Sequence, residues 1–203
     1  MCEINYCNTV FLKSIFNIKK EKYKYGFEIA FLGYSNSGKS TVINTLTNQT
    51  KLTRVSKTPG RTQLINIFEI FPGMRLVDFP GYGYSKTSKN IKLTFKNIIF
   101  RYLEIQKCLI GLVMLIDIRR PIKYWDKIIL NLAKLHCIPI LILLSKADKV
   151  NISKRNQKLN CVRSNKLVLS NNNISVELFS TLKNIGLNKL KSQVNFWINE
   201  NVT

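Results

Sequence analysis

A chain of 203 residues has the size of one domain with a substantial core. Apolar residues make up 45% and charged residues 21%, and no apolar run is long enough for a membrane helix, which excludes an integral membrane span and predicts a protein of the cytosol. The net charge is +21, from 32 Lys and Arg against 11 Asp and Glu; it favours polyanions such as RNA, while a coding bias toward Lys, Asn and Ile accounts for the same excess.

In chain order, residues up to Tyr25 read as a loosely ordered arm. Glu3, Asn5 and Asn8 interrupt its apolar residues, so it lacks the core of a signal peptide. Glu28 to Leu32 is a short apolar run read as a buried strand, and Lys39 to Thr47 a short helix. Gln63 to Phe71 alternates apolar and polar residues; Pro72-Gly73 marks a turn, and Met74 to Val77 completes a hairpin. Asn90 to Gln106 has helical spacing at Leu93, Ile98, Tyr102 and Ile105. Leu109 to Ile116 and Ile138 to Leu144 are continuous apolar runs, as central parallel strands require, with a helix at about Ile122 to Leu135 between them. Ser170 to Asn173 is a polar loop, Ser175 to Phe179 a last strand and Leu187 to Ile198 a closing helix. The pattern predicts an α/β fold: a mostly parallel six-stranded sheet with one antiparallel edge hairpin and helices on both faces. The five cysteines are scattered and form no CxxC pair, so they are expected as reduced thiols in or near the core. His136 is the single histidine, at the end of a helix, and is expected to be structural or at the surface.

The most specific motif is Gly33-Tyr34-Ser35-Asn36-Ser37-Gly38-Lys39-Ser40, which fits G-x-x-x-x-G-K-[ST] at every fixed position, after a strand and opening a helix. Gly33 and Gly38 let the backbone wrap around phosphates with its N–H groups inward, and the helix adds the positive end of its dipole. Lys39 is placed to reach the β- and γ-phosphates, and the Ser40 hydroxyl to ligate magnesium.

Downstream, Asp78-Phe79-Pro80-Gly81 sets a carboxylate at the end of a strand, where a P-loop protein places its second metal contact, often through water. Gly81 offers a backbone N–H to the γ-phosphate. Thr58-Pro59-Gly60-Arg61-Thr62 lies between cradle and aspartate, and either threonine hydroxyl could complete the magnesium shell. Ser145-Lys146-Ala147-Asp148 ends a buried strand. The Asp148 carboxylate can accept from both guanine N1–H and the 2-amino group, a donor pair adenine lacks; leaving a buried carboxylate unpaired rejects the wrong base by roughly 10⁴. Phe179-Ser180-Thr181 follows the last strand and could bring backbone N–H groups to the guanine carbonyl.

Three longer segments carry a family resemblance: Ser56-Lys57-Thr58-Pro59-Gly60-Arg61-Thr62-Gln63-Leu64-Ile65-Asn66, Asp78-Phe79-Pro80-Gly81-Tyr82-Gly83-Tyr84-Ser85-Lys86, and Asp117-Ile118-Arg119-Arg120-Pro121 ahead of Asp126. Over about Phe27 to Trp197 the chain resembles the EngB family (YsxC or YihA), bacterial translation-factor-class GTPases of ribosome assembly and cell division. The resemblance implies an arm over residues 1–25 and a single G domain over 26–203. It implies binding of GTP and GDP with magnesium, slow GTP hydrolysis, a role in maturing the large ribosomal subunit, and a need for the protein in normal septation. It selects Thr62 over Thr58, so that Ser40 and Thr62 hold the metal and Lys39, Thr62 and Gly81 act on the reacting phosphate. The nucleotide contacts it implies are Gly33, Tyr34, Ser35, Asn36, Ser37, Gly38, Lys39 and Ser40; Gly60, Arg61, Thr62, Gln63 and Leu64; Asp78, Phe79, Pro80 and Gly81; Ser145, Lys146, Ala147 and Asp148; and Phe179, Ser180 and Thr181. The chain departs from the family pattern at Phe27 (usually Pro), Tyr34 (Arg), Phe79 (Leu), Ser145 (Thr) and Thr181 (Ser or Ala); the last four leave the phosphate, metal and base contacts on other atoms or keep a hydroxyl.

Tyr82 stands where many GTPases carry a water-orienting glutamine, which predicts slow intrinsic hydrolysis. Asn36 falls in the G-x-x-N-x-G-K-S arrangement that resembles potassium-binding GTPases, so K⁺ is a candidate second cation. The expected protein is a cytoplasmic, monomeric GTPase switch whose partner is the large ribosomal subunit or its precursor. Two other readings compete with it. One is an RNA-binding assembly scaffold in which GTP sets conformation and hydrolysis is incidental; the other is a scaffold with a vestigial nucleotide site, against which intact Lys39, Ser40, Asp78 and Asp148 argue.

Overall fold

The computed structural model describes residues 4–15, 25–53, 64–83, 89–120 and 122–202. The strands are β1 (Val10–Ile15), β2 (Phe27–Gly33), β3 (Ile65–Phe71), β4 (Met74–Asp78), β5 (Leu109–Asp117), β6 (Ile140–Ser145) and β7 (Ile174–Leu178). The helices are α1 (Lys39–Thr47), α2 (Lys89–Ile105), α3 (Tyr124–Leu135), α4 (Ile152–Arg163), α5 (Lys166–Leu169) and α6 (Leu187–Val202).

The strands form one sheet in the order β1-β3-β4-β2-β5-β6-β7. β4, β2, β5, β6 and β7 run parallel, so their carboxyl ends share one edge. The apolar runs of β5 and β6 are buried because both sheet faces are covered. The pleat sorts β2 between the two faces. Ala30 and Leu32 join a core with α2 and α3 through Ile99, Leu103, Ile129 and Ala133. Ile29 and Phe31 join a second core with α1 and α6 through Ile43, Leu46, Leu190 and Trp197.

The sheet has seven strands, one more than the expected six. The additional strand, β1, comes from the segment read as an arm and pairs antiparallel with β3, so the hairpin is no longer at the edge. Phe11 meets Phe68 edge to face at 5.7 Å. Gln49 Nε2 donates to the carbonyls of Cys7 (2.9 Å) and Thr9 (2.7 Å), and the buried Tyr6 hydroxyl donates to Asn195 of α6. The cysteine expectation is also corrected: Cys108 is buried, but Cys7, Cys137 and Cys161 are exposed, and none of these four forms a disulfide. His136 is partly exposed at the end of α3, as expected.

Candidate nucleotide-binding site

The site forms where the carboxyl ends of the parallel strands open. β2 ends at Gly33, where an added Cβ would lie 2.5 Å from Ser37 Oγ and 2.9 Å from the Leu115 carbonyl. The chain then turns back on itself: the Ser37 amide donates to the Tyr34 carbonyl at 2.9 Å, and Asn36 adopts φ +64°. Gly38 caps α1 at φ +95° with no side-chain cap, so the first N–H groups of the helix face the loop without a competing side chain. Lys39 begins α1, and its ammonium is bonded to Asp78 Oδ1, both side chains being almost fully enclosed. Ser40 is half-buried beside it.

Asp78 ends β4, directly across from Phe31 of β2. Phe79 is core: its ring packs on Tyr102 at 4.8 Å and its amide donates to the Phe31 carbonyl at 3.2 Å. Gly81 lies so close to the cradle that a Cβ would stand 2.9 Å from Ser35 Cα, and Ser35 Oγ donates to the Gly81 carbonyl at 3.3 Å. Two backbone bonds continue the pairing, Ser35 N–H to the Tyr82 carbonyl at 2.9 Å and Tyr82 N–H to the Gly33 carbonyl at 3.2 Å. Of the intervening loop, Leu64 is half-buried before β3; Thr58, Gly60, Arg61, Thr62 and Gln63 lie outside the described residues.

On the other side, Ser145 is buried at the end of β6, and its hydroxyl donates to the Ser37 carbonyl at 2.7 Å. Lys146, at φ +58°, directs its ammonium to the Asn36 carbonyl at 2.6 Å and to Asp117 Oδ2 at 3.1 Å. Asp148 accepts from the Ser180 hydroxyl at 2.6 Å, and Lys149 stands 3.5 Å away. That hydroxyl, with the Lys149 charge, holds the Asp148 carboxyl below its ordinary pKa. Ala147 and Phe179 are buried scaffold, joined by a 3.1 Å bond from the Ala147 amide to the Phe179 carbonyl. The Ser180 amide donates to Ile185, so this residue supplies its side chain to the site rather than its N–H. The Thr181 hydroxyl meets that of Thr45 on α1 at 3.2 Å.

The loop 33–38 is therefore bonded on one flank to the loop after β4 and on the other to the loop after β6. Asp117 opens the motif Asp117-Ile118-Arg119-Arg120-Pro121, and the structure gives it a role. It ends β5 opposite Ser145 and pairs with Lys146 and, through two side-chain bonds and one amide bond, with Arg119. Burial opposes its ionisation, but these donors prevail and hold its carboxyl far below the usual range. The available signal was a carboxylate ending an apolar strand, the same feature that marks Asp78. Among the described residues no three His, Cys, Asp or Glu side chains cluster to hold a metal alone. The hydroxyl of Ser40 and carboxylate of Asp78 are the hard oxygen donors that suit magnesium shared with phosphate oxygens.

A family model described as 50S ribosome-binding GTPase matches residues 28–146. The chain is 58% identical over 193 residues to the probable GTP-binding protein EngB of Buchnera aphidicola subsp. Baizongia pistaciae, covering 95% of this chain and 84% of that one. It is 46% identical over 195 residues to the corresponding protein of Haemophilus influenzae, covering 96% and 95%. The crystal structure of a probable GTP-binding protein EngB superposes with a TM-score of 0.68 at 22% identity, covering 86% of this chain and all of the other. Era in complex with MgGDPNP and nucleotides 1506–1542 of 16S ribosomal RNA superposes at 0.62, with 22% identity, covering 86% of this chain and 57% of that one. The chain belongs to the EngB family of GTP-binding proteins and has the G-domain fold of P-loop GTPases.

Proposed function

We propose that this GTPase is a magnesium-dependent switch in assembly of the large ribosomal subunit, acting in the cytoplasm as a monomer, with cell division and septation depending on it. One observation carries the nucleotide part: the cradle at 33–38 is bonded at once to the loop of Asp78 and Gly81 and to the loop of Lys146 and Asp148. That arrangement supports a single ligand with phosphates at one end and guanine at the other. In this reading the backbone of Gly33 to Gly38 and the Lys39 ammonium hold the phosphates, and Ser40 and Thr62 ligate magnesium, with Asp78 acting through water. The Gly81 N–H meets the γ-phosphate, and Asp148 accepts from the base beneath Lys146 and Ser180. Held by these residues, magnesium would supply charge neutralisation on the transferred phosphate.

Hydrolysis is expected to be slow, because Tyr82 has no side-chain amide to orient water and its ring is buried. Potassium near Asn36 is the proposed aid, and single-turnover rates that are equal in potassium and sodium would sink that part. The ribosomal part is supported by the matched family description and by the +21 charge. Cosedimentation with ribosomal subunits, with GTP and with GDP, across a salt series tests it. Binding to large subunits that depends on the nucleotide and weakens steeply with salt is expected; no association in either nucleotide state refutes it. If GTP only sets conformation, a non-hydrolysable analogue will support assembly as well as GTP does.

A further inference from the structure

Tyr82 is an aromatic residue in a loop at the mouth of a polar site, yet it is only 3% exposed. Its ring packs edge to face on Tyr34 of the cradle at 4.6 Å, and its hydroxyl donates to Asp126 Oδ1 at 2.8 Å. Asp126 lies in the first turn of α3 and is 1% exposed. Its other oxygen accepts the Lys123 amide at 2.9 Å. Burial raises both the Asp126 carboxyl and the Tyr82 phenol above their ordinary values.

Capping a helix does not require a buried acid; a surface side chain would satisfy the same amide. Burying this one makes sense if it must hold the tyrosine. We infer that Asp126, acting through Tyr82, is a positioning residue that fixes the peptide of Gly81 against the phosphate cradle.

The loop is held on three sides. Backbone bonds tie Tyr82 to Gly33 and Ser35. The Tyr34 ring is itself braced, by the Trp125 amide on its hydroxyl at 3.3 Å and the Lys123 ammonium 4.7 Å from its ring centre. Gly83, at φ +76°, passes so near that a Cβ would overlap the Tyr34 ring at 1.9 Å. The third hold is the phenol–carboxylate bond, which ties the loop to the first turn of α3. Gly81 is the residue next to this anchor, and its carbonyl and the Tyr82 amide are bonded to the cradle, so drawing Gly81 away from it means drawing the phenol off a buried carboxylate. The anchor thus pre-sets the γ-phosphate contact at no cost when the ligand arrives.

The inference rests on the proposed contact of Gly81 with the γ-phosphate, and the test separates the two. Dissociation constants for a non-hydrolysable GTP analogue and for GDP are measured on wild type, Tyr82→Phe, Asp126→Ala and Asp126→Asn, with melting curves alongside. Losing the bond should weaken the GTP analogue about tenfold in Tyr82→Phe and Asp126→Ala while GDP stays within about twofold. Asp126→Asn keeps an acceptor for the phenol and should restore most of the wild-type ratio. Equal losses for both nucleotides, or none, in whichever of Tyr82→Phe and Asp126→Ala is folded would reduce Asp126 to a helix cap and overturn the inference. A wild-type protein that binds neither nucleotide overturns the site reading and the anchor with it.

Discussion

The ammonium of Lys146 lies 2.6 Å from the carbonyl of Asn36, so the residue proposed to lie along the base also holds the phosphate loop. The same ammonium pairs with Asp117 at 3.1 Å. Lys146→Met keeps the apolar stem but removes both bonds. Affinity for GTP and GDP should fall together by about 1.5–3 kcal/mol, the cost of losing a charge-assisted hydrogen bond. Calorimetric titration with each nucleotide checks this, and a loss confined to one of them would contradict it.

Ser180 aims Asp148. Without the hydroxyl, the carboxylate loses the partner that holds it in place for the proposed contact with guanine. Ser180→Ala should narrow the preference for GTP over inosine triphosphate, which lacks the 2-amino group, by about 1 kcal/mol. Competition binding with the two nucleotides measures the gap, and an unchanged ratio would show that Asp148 holds its place without the serine.

Asp117 makes a prediction for acid. Its folded carboxyl is held below the ordinary 3.8, so its ion pairs stabilise the fold fully above that pH. As pH falls below 3.8, the unfolded chain takes up a proton that the folded chain refuses, and the stabilisation drains away until the folded value is passed. Asp117→Asn removes this contribution, so its urea-unfolding free energy should decline less steeply between about pH 4 and pH 2 than that of wild type. Parallel slopes would mean that Arg119 and Lys146 do not hold the carboxylate in solution.

Gly111 tests the core apart from the site. A Cβ there would stand 2.3 Å from the Trp197 ring, which lies against the backbone of β5. Gly111→Ala should cost about 1–3 kcal/mol of stability through overpacking, with nucleotide affinity of the folded protein unchanged. Urea unfolding gives the first number and nucleotide titration the second.

Periodicity and spacing make part of this fold legible in the sequence. β5 and β6 were plain because continuous apolar runs have one good solution in a sheet covered on both faces. The cradle was plain because its glycines and lysine stand at fixed intervals between a strand and a helix. β1 was not, since Val10 and Phe11 are about half exposed at the sheet edge and alternate weakly with their neighbours. α4 was silent for a related reason: it buries no residue, so no apolar stripe announces it. The Tyr82–Asp126 bond joins residues 44 positions apart and has no local signature at all.

The bond between Lys39 and Asp78 has a further consequence. A lone anion could reach Lys39 only by leaving a buried carboxylate stripped of its cation, and a lone divalent ion could reach Asp78 only by stranding the lysine. A particle that brings phosphate and metal together hands each of them a new partner in one exchange. In the function proposed above, the pair acts as a coincidence detector, admitting the complete metal–nucleotide complex while discouraging its separate parts.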